Sequence, residues 1–142
     1  MQLVHVYVNF PGTTDEAFRL YEKAFGTKAI SRTTFGEAPW ASNVPAAAKD
    51  KVMHAQLPIT QAVHLMASDF VEGVSPGKFV RGNDVNICIV AADKAEADRA
   101  FELLSAGGAV RMPLANAPWG PYFGMCTDRF GVHWMISLAT PA

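Results

Sequence analysis

The chain is poor in the features that narrow a function fastest. It has two cysteines, Cys88 and Cys126, without CxxC spacing. A disulfide framework or a zinc ribbon is therefore not indicated, and both read as reduced, structural thiols of a cytoplasmic protein. Neither sign of charge is in excess: 12 Lys and Arg face 13 Asp and Glu, with no basic run and no acidic tail. That balance argues against nucleic acid or an anionic membrane as partner. No apolar run approaches the length of a membrane span. The opening MQLVHVYVNF has no cationic residue ahead of its apolar stretch, so it reads as a strand and not a signal peptide. No Ser-His-Asp or Cys-His set has supporting context, so no catalytic residue is assigned. Gly120, Gly124 and Gly131 do not follow a strand-to-helix phosphate signature, and WGPYFG reads as a tight hairpin. What remains is a chain of 142 residues, half of them apolar, enough for one domain-sized core.

Within that chain one pattern is written twice. VHLMAS, Val63 to Ser68, returns as VHWMIS, Val132 to Ser137. The stretches ahead of the copies also match. Leu3 to Phe10 reads as a strand ended by Pro11-Gly12, and Thr13 stands three residues before Glu16, the spacing of a capping box. A helix over Thr14 to Phe25 follows, closed by Gly26. After Asn83 the strand VNICIV, the pair Asp93 and Glu96, and a helix over Lys94 to Ala106 repeat the order. His5 thereby pairs with Asn86. The two His-x-Met copies lie 69 residues apart and the two openings, Val4 and Val85, lie 81 apart, so the first unit carries 12 extra residues. They fall in Gly36 to Lys51, which has two prolines, no periodicity and a lone Trp40. This stretch is expected to be a mobile loop whose Trp40 moves toward a pocket. The expected layout is a single α+β domain over 1–142, with module 1 at about 1–69, a linker at about 70–82 and module 2 at about 83–142.

The stretches AFRLYEKAFGTKA, VMHAQL, VHLMASD and WGPYFGMCTDRFGVHWMISL together resemble the PhnB-like branch of the vicinal oxygen chelate superfamily, the group of glyoxalase I, bleomycin-resistance proteins and extradiol dioxygenases. The resemblance runs almost end to end. It implies two βαβββ modules whose curved mixed sheets surround a cavity, in a homodimer. In metal-using members four ligands come from the first and last strand of each module, commonly His or Gln on the first and Glu on the last. Carried over strand by strand, these positions fall on His5, Asn86, Met66 and Met135.

Side chains alternate along a strand, so His64, Met66 and Ser68 share one side, as do His133, Met135 and Ser137. Thioethers are soft, neutral donors, whereas divalent hard ions require oxygen or imidazole. The residues therefore point first to a protein that binds or transforms a small, largely apolar molecule, without a cofactor and without the usual divalent metal. The cavity candidates are His5, Trp40, His64, Met66, Asn86, Trp119, Phe123, His133 and Met135. The alternative is a metal-dependent lyase, isomerase or dioxygenase with a displaced imidazole site of His5, His64 and His133. His54 is expected to be structural.

Overall fold

The computed structural model describes residues 1–139. By contact density the chain divides into two compact units. The first comprises Met1–Glu22 with Gly26–Val80, and the second Arg81 onward with Lys23–Phe25 of the first helix.

The first unit runs β1 (Val6–Phe10), α1 (Thr14–Phe25), β2 (Ser31–Thr34), β3 (Val52–Pro58) and β4 (His64–Asp69). The second runs β5 (Ile87–Ala91), α2 (Lys94–Ser105), β6 (Ala109–Asn116), β7 (Tyr122–Thr127) and β8 (His133–Leu138). Each is a βαβββ module with one four-stranded mixed sheet, ordered β1-β4-β3-β2 and β5-β8-β7-β6. The repeat extends to the register. Val6 pairs with Leu65 in parallel and Ile87 pairs with Trp134 in parallel, the last-strand partners 69 residues apart and the first-strand ones 81.

The first strand is shorter than its composition suggests: it begins at Val6, and Leu3 and Val4 are exposed. The helix starts also differ from each other. Asp93 caps α2, accepting from Glu96 N at 2.8 Å. Thr13 makes no side-chain cap. At α1 the task passes to Asp69 at the end of β4, whose buried carboxylate accepts from Thr14 N (3.0 Å), Thr14 Oγ1 (2.7 Å) and Val52 N (2.8 Å). A long-range carboxylate thus replaces the local box, because it satisfies a helix donor and a strand donor together.

The stretch expected to be an unpatterned loop instead forms three short 3-10 turns, Phe35–Glu37, Ala41–Asn43 and Ala46–Ala48. Phe35, Val44 and Ala48 are buried there, with Met53, Val71 and Val74 against them. Alanine and proline at irregular spacing hide this small core from any periodicity reading.

In each sheet one face is closed and the other half open. Val8, Phe10, Ala55, Leu57, Leu65 and Ala67 make the closed face of the first sheet, where the Phe10 and Tyr21 rings lie 6.4 Å apart. Trp134, Ile136, Cys126 and Ala91 do the same in the second, beneath α2, which packs on all four of its strands. Gly124 is required there, since a Cβ would come within 2.9 Å of Phe101 Cε2 and 2.8 Å of Leu114 Cα.

Candidate functional site

The polar chemistry lies on the two half-open faces. In the first sheet the register lines up Tyr7 with Met66 and Gln56, and Asn9 with Ser68, while His5, just ahead of β1, lies beside His64. Alternation fixes this side, because Leu65 and Ala67 between them are fully buried. His5 and His64 are brought together, their rings stacked at 4.9 Å. His5 Nδ1 accepts the His64 backbone N–H at 3.1 Å, so a neutral His5 ring carries its proton on Nε2. Gln56 Nε2 donates to His64 Nδ1, which leaves His64 Nε2 as its second functional nitrogen. Ser68 Oγ donates to Asn9 Oδ1 at 2.9 Å. Tyr7 OH stands 3.5 Å from His54 Nδ1, so His54 belongs to this face as well. No carboxylate occupies these rows.

In the second sheet His133 pairs with Thr127, and its Nδ1 lies 2.7 Å from the Thr127 hydroxyl. The next row is all sulfur: Cys88 pairs with Met135, Met135 with Met125, and Met125 with Met112. Phe123 pairs with Ser137 one row on. Asn86, just ahead of β5, accepts from Arg111 Nη2 at 2.6 Å. Cys88 is exposed, whereas Cys126 is fully buried and burial pushes its thiol up to about 11. Both cysteines are free.

The remaining candidates lie off these rows. Trp40 is 45% exposed and packs edge-on against Phe35, at 6.2 Å between ring centres. Trp119 is 71% exposed in the β6–β7 turn. A cleft of about 400 Å³ lined by Pro11, Phe70, Glu72, Gly77, Lys78 and Phe79 takes in none of the candidates. Several contributors were not singled out from sequence, among them Tyr7, Asn9, Gln56, Met112, Met125, Thr127 and Arg111. Pairing between strands distant in the chain, and the Arg111–Asn86 hydrogen bond, bring them in.

The donor set does not fit a hard divalent ion. Met66 and Met135 stand at the positions carried over from ligand carboxylates. Among the described residues no three of His, Cys, Asp or Glu form a group able to hold a metal.

Comparison with known proteins agrees with this architecture. The protein is 38% identical to protein PA1353 from Pseudomonas aeruginosa, whose structure superposes with a TM-score of 0.82 over 99% of this chain and 100% of that one. The PhnB protein from Bacillus cereus is 25% identical, with a TM-score of 0.75 over 96% of this chain and 98% of that one. Protein YjdN of Escherichia coli (strain K12) is 26% identical over 137 residues, 93% of this chain and 92% of its own length. Residues 3–136, from ahead of the first strand to within the last, match one family along the whole repeat, and the chain belongs to the Glyoxalase/Bleomycin resistance protein/Dioxygenase superfamily.

Proposed function

We propose that this protein binds a small, largely apolar molecule on a half-open sheet face, and that it does so without the divalent metal typical of its superfamily. One observation carries the reading. The strands that would bring carboxylates to a metal bring Met66 and Met135 instead, in rows otherwise made of imidazole, amide, hydroxyl, thiol and apolar groups. Thioethers adapt to irregular apolar shapes, and isolated imidazoles and amides orient a ligand by hydrogen bonds. His64 Nε2 and His5 Nε2 are the groups best placed for that, since each Nδ1 already has a protein partner. Any reaction on the ligand is then imidazole acid–base chemistry near neutral pH.

The same reading makes the protein a cytoplasmic homodimer. Two free thiols, one exposed, suit a reducing compartment. Exposed apolar side chains at Val85, Val90 and Val110 suit burial by a second copy. Among the described residues no helix is long and apolar enough to cross a membrane.

The test uses a neutral apolar fluorophore, N-phenyl-1-naphthylamine, together with elemental analysis of protein purified without an affinity tag. Saturable probe binding, weakened by Met135→Glu, is expected, with no stoichiometric metal and no turnover of the methylglyoxal hemithioacetal. Failure of the probe to bind, or one tightly held divalent ion per chain, overturns the reading.

A further inference from the structure

We infer that the half-open face of the second sheet takes an organic anion. Its anionic group would rest on Arg111, and its apolar body would lie along the row of Met112, Met125 and Met135. This rests on the reading above and adds the chemical class of the ligand.

The argument begins with the reach of Arg111. It lies on β6, while Asn86 lies just ahead of β5, and these strands are the two edges of the sheet. Three strand gaps of about 4.8 Å would set the edges roughly 14 Å apart on a flat sheet, farther than an arginine side chain extends. Yet Arg111 Nη2 donates to Asn86 Oδ1 at 2.6 Å. The sheet must therefore curl, with the guanidinium spanning its concave side.

A bulge aims the side chain there. Val110 pairs with Cys126 and Met112 with the adjacent Met125, so the register slips at Arg111. Such slips re-aim side chains beside functional surfaces. Asn86 is two residues before Cys88 on its strand, so alternation puts it on the same side as the sulfur row. The arginine thus reaches the end of that row at Asn86.

No carboxylate pairs with Arg111 among the described residues. Both of its hydrogen bonds come from Nη2, the one to Asn86 and a longer contact of 3.5 Å to Cys126 O. The donors on Nη1 and Nε are left for a ligand, and a planar guanidinium fork suits a carboxylate or related oxyanion. The first module supplies the contrast. Its edge-strand arginine, Arg32 of β2, pairs with Ala55 of the closed face and is held in two bonds by Asp15, at 2.7 and 2.8 Å. Only the second module leaves this cation over the open face.

The test compares two probes with nearly the same aromatic body, one carrying a sulfonate and one neutral: 1-anilinonaphthalene-8-sulfonate and N-phenyl-1-naphthylamine. Arg111→Gln should weaken the sulfonate probe at least tenfold and leave the neutral one within twofold, whereas Arg111→Lys should recover part of the loss. The probes should displace each other, and 0.5 M salt should weaken only the anion. Circular dichroism confirms that the exposed substitution leaves the fold intact. If Arg111→Gln leaves both affinities unchanged while both probes bind at one site, the anion inference is overturned and the apolar-ligand reading stands. If neither probe binds, both fall.

Discussion

Replacing Asp69 tests how the His-x-Met strand is held. Asp69 is only 3% exposed, and its carboxylate accepts three hydrogen bonds, from Thr14 N, Thr14 Oγ1 and Val52 N, so it ties β4 to β3 and to the first turn of α1. Asp69→Ala deletes the acceptor and strands these donors in a dry site. Hydrogen bonds to a charged group contribute about 1.5–3 kcal/mol each, and an unsatisfied buried donor costs about 1–3 kcal/mol. The sum overshoots, because water enters the space left by the side chain and the terms are not additive. We expect a loss of about 3–5 kcal/mol, or roughly 10–15 °C in Tm for a chain of this size. Asp69→Asn is the sharper comparison. It keeps the shape but turns an amide N–H toward a donor, so it should cost about 2–3 kcal/mol despite being isosteric. Urea unfolding followed by tryptophan fluorescence gives both numbers. A loss below about 1 kcal/mol for Asp69→Ala would refute the claim that this carboxylate organises the first module.

Other outcomes follow from the same structure. Met66→Glu combined with Met135→Glu should create micromolar nickel or zinc affinity by calorimetry, whereas no gain would mean that the strand-by-strand carry-over of ligand positions is wrong. Cys126 holds its proton up to about pH 11 in the folded state but ionises near 9 once unfolded. Stability is therefore full below about pH 9 and falls by roughly 2–3 kcal/mol on going to pH 11. Cys126→Ala should flatten that part of the profile relative to wild type, and parallel profiles would refute it. Asp15, held low chiefly by its hydrogen bond from Arg32, gives up its contribution only as pH falls through its depressed pKa. Because the pair is half exposed, Asp15→Asn should cost well under 1 kcal/mol at pH 7 by urea unfolding. Light scattering at micromolar concentration should give a dimer, and a soluble monomer would count decisively against the assembly proposed above.

Much of this protein was written locally. Two helices with the boundaries expected to within a residue, two βαβββ modules and the equivalence of the His-x-Met strands were all legible, because amphipathic spacing, glycine stops and a repeated hexapeptide are local signals. The pairing of His5 with Asn86 held for the same reason, since both immediately precede the first strand of their module. The capping of α1 was not legible. Thr13 and Glu16 carry the right spacing, yet a carboxylate 55 residues from Thr14 took the role. The 3-10 stretch was missed because its core depends on Val71 and Val74, well outside it in sequence.

The candidate site divides along the same line. Sequence alone determined which residue types alternate on each last strand, and hence that His64, Met66 and Ser68, like His133, Met135 and Ser137, share one side, because side-chain direction in a strand is a property of position. Tertiary structure decided which of these residues meet: that His5 lends its Nδ1 to His64, that four sulfur side chains share a row, and that Arg111 crosses a curled sheet to Asn86. Those contacts depend on register, bulges and curvature. Each is set by pairing between strands distant in the chain, so no local pattern carries it.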